Sequence, residues 1–95
     1  NFAASGNNGY FCTAALTATL PAVASQGNMI IIEVDTANPV VVQAAAGQTI
    51  RLGSTASSVA GSVTSTSRGD TIFLIFRSAS STWFSISTEG TWAVA

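Results

Sequence analysis

"TIFLIFR", residues 71–77, is the stretch that decides the fold. In an extended chain Ile72, Leu74 and Phe76 fall on one side and Phe73 and Ile75 on the other, because successive side chains in a strand point to opposite faces. β-branched and aromatic residues fill the segment, which predicts a strand. Apolar residues on both sides predict that both faces are covered, which one small sandwich does for its central strands alone.

Immediately upstream, "SRGD" (67–70) holds Arg68-Gly69-Asp70, which reads either as a cell-attachment tripeptide or as the turn feeding the strand. Adhesive recognition needs the tripeptide at an exposed loop tip, whereas Asp70 here adjoins the strand and Gly69 supplies the positive φ a tight turn requires. The turn reading is preferred.

The same two-sided pattern recurs in "NMIIIEVD" (28–35), which follows a turn at Gln26-Gly27. Ile30, Ile32 and Val34 share one face; Met29, Ile31, Glu33 and Asp35 share the other. "TANP" (36–39) is a turn, and "VVVQ" (40–43) is expected to pair back as a hairpin partner. Thr17 and Thr19 alternate with Leu16, Ala18 and Leu20 until Pro21 ends that strand. Thr49–Leu52 alternates cleanly. Residues 53–67 read as a long loop with a short strand inside. "WFSIS" (83–87) and "TWAVA" (91–95), joined by "TEG", predict a closing hairpin with Trp83 and Trp92 in adjacent strands. No segment has apolar residues at helical spacing. About eight strands with turn signals between them predict an all-β, antiparallel, jelly-roll-like sandwich, a single domain over residues 1–95.

The composition sharpens this. Hydrophobic residues make up 47% and charged residues 7%, against roughly 25% charged in an average globular domain. A small β domain with so few charges has little means of keeping edges and apolar faces from other chains, so sister subunits are expected to cover them. Ile31, Phe73 and Ile75, on the second side of strands whose first side serves the core, are the expected intersubunit face. There is no Lys, and Arg51, Arg68 and Arg77 are scattered, so the electrostatic footprint of a nucleic-acid binder is missing. The longest apolar run, Met29 to Ile32, is far short of the roughly 20 residues that span a bilayer, so no membrane insertion is expected. A chain starting at Asn1 fits an excised domain or a processed one. Cys12, the single cysteine, reads as a small buried apolar residue, with an intermolecular bridge or reactive thiol as alternatives; the balance leans towards a reducing compartment.

Histidine is absent, which removes Ser-His-Asp and Cys-His nucleophile pairs and the commonest zinc ligand. Without Lys there is no Schiff-base amine or phosphate clamp. No catalytic residue, cofactor or metal site is expected. A remote alternative is that Asp35-Thr36-Ala37 resembles half of a dimeric aspartic protease, two such carboxylates sharing a proton; Ala37 stands where that motif carries Gly. Glu33 and Asp35, two apart on one face, could ligate a hard cation, but a solvated edge or a salt bridge to an Arg is the preferred reading. Tyr10, Trp83 and Trp92 are candidate glycan contacts, with core or interface packing preferred for the indoles.

The order of elements carries a resemblance. Leu20-Pro21 ends an early strand, Gly27 precedes Ile30 and Ile32, Gly47-Gln48-Thr49-Ile50 makes a turn and strand, and Ile72–Phe76 is followed by Trp83 and Gly90-Thr91-Trp92. From Tyr10 onward this resembles the small β domains of bacteriophage tail fibres, tailspikes and related virion appendages. The resemblance implies a homotrimeric, non-enzymatic structural and host-attachment module. Its partners would be itself, other virion proteins and host-surface polysaccharide, and its place would be the virion, after synthesis in the host cytoplasm. A capsid-decorating (cement) subunit keeps the fold and changes the partner. A secreted pilin-like fibre subunit would instead assemble head to tail by strand exchange.

Overall fold

A computed structural model describes residues 1–95. Eleven strands form in the order β1 (Phe2–Ala3), β2 (Asn8–Cys12), β3 (Leu16–Thr19), β4 (Met29–Val34), β5 (Val40–Gln43), β6 (Thr49–Leu52), β7 (Thr55–Ala56), β8 (Ser62–Ser65), β9 (Thr71–Arg77), β10 (Thr82–Glu89) and β11 (Ala93–Val94). A single 3-10 turn at Ser78–Ser80 is the only helical element. The chain is all β, in two sheets.

One sheet has five strands in the order β1-β3-β5-β8-β11, the other six in the order β2-β4-β9-β10-β6-β7. From β1 to β6 each strand crosses to the opposite sheet, so strands two apart in sequence become neighbours running the same way. The pairs β1/β3, β3/β5, β2/β4 and β6/β10 are parallel, while β4/β9, β9/β10, β5/β8, β8/β11 and β6/β7 are antiparallel. This corrects the expected purely antiparallel sandwich to a mixed one. The physical reason is the crossing: a parallel pair needs a long connection, and here the opposite sheet's strand supplies it.

Two expected hairpins are corrected with it. "VVVQ" does not pair with "NMIIIEVD"; β5 lies in the five-stranded sheet between β3 and β8, and β4 lies in the other between β2 and β9. Trp83 and Trp92 are not in paired strands either, because β11 crosses over to pair with β8, and Trp92 precedes it. The long hairpin that does form joins β9 to β10 through Ser81, whose φ of 49° closes the turn in the left-handed region, and a short one joins β6 to β7. Residues 53–67 contain two short strands, β7 and β8, where one was expected.

The alternation in "TIFLIFR" is realised as read. Ile72, Leu74 and Phe76 are buried, and they join Ile30, Ile32 and Val34 of β4 and Ile50 of β6 from the six-stranded sheet. Ala18, Val40, Val42 and Val63 face them from the five-stranded sheet, giving one core of 17 buried residues. Each fully enclosed Val, Ile or Leu contributes about 1.5–3 kcal/mol relative to exposure. Trp83 is fully buried at its centre, its ring 5.0 Å from that of Phe76.

Candidate interaction face and surface sites

The outer side of the six-stranded sheet is the second face predicted from the alternation. Strand register sets Gly9, Ile31, Phe73 and Ser87 in one row across β2, β4, β9 and β10, and Met29, Ile75, Phe84 and Arg51 in the next across β4, β9, β10 and β6. A β-bulge between Ser85 and Ser87 adds Ile86 to β10. Ile31, Phe73 and Ile75 are thus brought side by side, each half-buried. Met29 stands more open beside them, at 39% exposure, and Ile86, in the bulge, is 54% exposed. Where Gly9 offers no side chain, a hollow of about 190 Å³ opens, lined by Asn7, Asn8, Gly9, Met29, Ile31 and Phe73. Phe11, at the sheet's edge strand, is 78% exposed. As an edge strand with one partner, β2 directs alternate backbone groups outward.

The three candidate glycan aromatics all turn inward. Trp83 is fully enclosed and donates its indole N–H to Gln48 Oε1 at 3.0 Å. Trp92 is buried and its N–H reaches the carbonyl oxygens of Thr71 and Glu89, both at 3.2 Å. The indoles have no face to offer a sugar, which corrects that expectation for both. Tyr10 is half-buried, its ring centroid 4.7 Å from that of Phe2, and its hydroxyl accepts from the Ser5 N–H at 2.7 Å. The aromatic ring that does stand in solvent is Phe11, which alternation could have flagged: it is out of phase with the buried Cys12.

Gln48 is the residue the sequence reading passed over. Buried beneath the turn after Ala45, it accepts from the Trp83 indole and, at 3.2 Å, from the Ala45 N–H, while its Nε2 donates to the Pro21 carbonyl at 2.8 Å. Three segments far apart in sequence are tied by one amide. Above it lies an open cleft of about 350 Å³ between Val23, Ala46, Phe76, Ser78 and Ser81. No charged side chain lines it.

Arg68-Gly69-Asp70 is a turn with its acid folded in. Gly69 has φ 94°, and Asp70 is buried with its carboxylate accepting a hydrogen bond from the Ser65 hydroxyl. A Cβ on Gly90, whose φ is 80°, would overlap that carboxylate. Arg68 points the other way and pairs with Asp35 at 3.3 Å, both side chains well exposed. An attachment motif needs its Arg and Asp displayed together, so this geometry does not present one.

The remaining polar groups are separately engaged. Glu33 accepts from the Thr71 hydroxyl at 2.7 Å while Asp35 holds Arg68, so the two do not converge as cation ligands. Thr36 is buried, and its hydroxyl accepts from the Asn38 N–H at 3.1 Å, closing the turn after β4. Cys12 is buried and free, and burial pushes its thiol pKa up. No cluster of three or more His, Cys, Asp or Glu side chains is present. No helix is long and apolar enough to cross a membrane. No family model and no curated protein matches this chain.

Proposed function

We propose that the chain is a non-enzymatic structural and host-attachment module of a phage virion appendage, a fibre or spike, assembling as a homotrimer. The observation that carries the reading is the outer face of the six-stranded sheet, where Met29, Ile31, Phe73, Ile75 and Phe84 form a continuous apolar surface on a molecule with 7% charged residues. Isolated surface hydrophobics are ordinary; a contiguous patch on the sheet's broad face marks an interaction surface. The hollow over Gly9 suits a side chain from a neighbour, as a subunit contact requires. The phage setting rests on the order of elements from Leu20-Pro21 to Gly90-Thr91-Trp92. Ile31, Phe73 and Ile75 belong to the intersubunit face. Host contact then falls to the loops, and the uncharged cleft above Gln48 suits a neutral polysaccharide.

Light scattering coupled to size exclusion tests the assembly, with a native mass three times that of the chain over a wide concentration range as the expected result. A monomer at all concentrations would refute it. Glycan binding by the assembled protein, lost on Val23→Asp and Ser81→Trp at the cleft, tests the attachment role.

A further inference from the structure

The charged side chains are few enough to account for individually. There are three Arg, no Lys and four acids. Arg68 and Asp35 pair with each other, and Asp70 is buried on Ser65. The four that remain, Glu33, Glu89, Arg51 and Arg77, all belong to the outer face of the six-stranded sheet. Glu33 and Glu89 flank Thr71 in one row across β4, β9 and β10. Arg77 ends β9 six residues further along, and Arg51 sits beside Phe84, which pairs with Ile75. At about 3.3 Å per residue, with the Phe73 row between, the acidic row has a separation of about 13 Å from the row of Arg51 and about 20 Å from Arg77. Both exceed the screening length of about 8 Å at physiological salt, so the two ends do not neutralise each other within one chain.

From this polarity we infer that the occupant of the face is a second copy of this chain, set so that the acidic end of one subunit, Glu33 and Glu89, meets the basic end of the next, Arg51 and Arg77. The inference rests on the assembly reading above and adds its geometry. In a closed trimer whose strands ran along the three-fold axis, three acidic ends would gather at one pole and three basic ends at the other, an unfavourable like-charge arrangement. With the strands lying across the axis, each acidic end abuts the next subunit's basic end, and the ring closes. The apolar rows supply the contact and the four charges set its direction.

The test uses three variants of the full chain: an all-basic face (Glu33→Arg with Glu89→Arg), an all-acidic face (Arg51→Glu with Arg77→Glu), and all four reversals together. Native mass is followed against protein concentration at low salt, with circular dichroism confirming the fold. The expected result is that each two-site variant needs at least about tenfold more protein to assemble, while the four-site variant returns to within about threefold of the original. Glutamine at the same positions should shift assembly in the same direction by less, and it keeps the test open if a reversed variant fails to fold. Two-site variants that assemble as tightly as the original, or a four-site variant no better than either half, would overturn the inference. If the original chain is trimeric and Phe73→Asp dissociates it while every charge variant is unchanged, the charge geometry alone fails. A monomeric original chain fails the assembly reading itself.

Discussion

Replacing Gln48 by Met is the substitution for which the structure gives the clearest magnitude. Met keeps the unbranched length of the side chain, so little cavity forms, but it can neither accept from the Trp83 indole and the Ala45 N–H nor donate to the Pro21 carbonyl. Trp83 is fully buried, and the Ala45 N–H is enclosed with it. Each stranded buried donor costs about 1–3 kcal/mol. Pro21 is half-exposed and its carbonyl regains water. The two donors together give a loss of about 3 kcal/mol, a large share of the roughly 5–14 kcal/mol expected for a domain this size. At about 4–8 °C per kcal/mol, the melting temperature should fall by roughly 12–24 °C. Thermal and urea unfolding, followed by Trp fluorescence and far-UV circular dichroism at one fixed protein concentration, read the change. Gln26→Met is the comparator: its Oε1 accepts from the Ser78 N–H and hydroxyl at 2.9 and 3.0 Å in the open, and its loss should be under about 1 kcal/mol. If Gln48→Met costs less than about 1 kcal/mol, or no more than Gln26→Met, the amide is not the tie described.

Three further outcomes follow from single sites. Gly90→Ala should destabilise by about 2 kcal/mol or more in urea titration, since its φ of 80° is strained for a side chain and the added Cβ displaces the Asp70 carboxylate from Ser65. Arg68→Ala should change stability by less than about 0.5 kcal/mol, because both it and its partner Asp35 are well exposed, and mammalian cell adhesion to the coated protein should be unaffected. The Cys12 thiol should react with a disulfide reagent about a hundredfold more slowly in native protein than in urea. Because its native pKa lies above the unfolded value of about 8.5, this group's contribution to stability is complete below that pH and is lost as pH rises through the native value; a Cys12→Ala variant should lack that alkaline decline.

Strand identity was legible wherever alternation was strong. In β4 and β9 the sequence pattern alone separates the buried Ile30, Ile32, Val34, Ile72, Leu74 and Phe76 from the outer Ile31, Phe73 and Ile75. Pairing was not legible, because alternation says which way a side chain points but nothing about which strand lies beside it. Short turns such as "TANP" suggested hairpins, whereas the chain uses them to cross between sheets, and parallel neighbours two strands apart leave no local signal. Gln48 was hidden for a related reason. Its three partners lie at Pro21, Ala45 and Trp83, and only the folded chain shows that a polar residue after a Gly turn is enclosed. The indoles of Trp83 and Trp92 illustrate the converse: amphipathic aromatics suit both a sugar platform and a core, and burial decides between them.

On the proposed assembly, the outer face carrying Ile31, Phe73 and Ile75 joins subunits and is not needed for the single chain's own core. Phe73→Asp, compared with the original protein by light scattering and far-UV circular dichroism, tests it most directly. The original chain should be trimeric and the Phe73→Asp variant monomeric, with an unchanged β spectrum. A variant that keeps the original mass, or one that unfolds, would contradict it: the first because the face is not at a contact, the second because Phe73 serves the intrachain core.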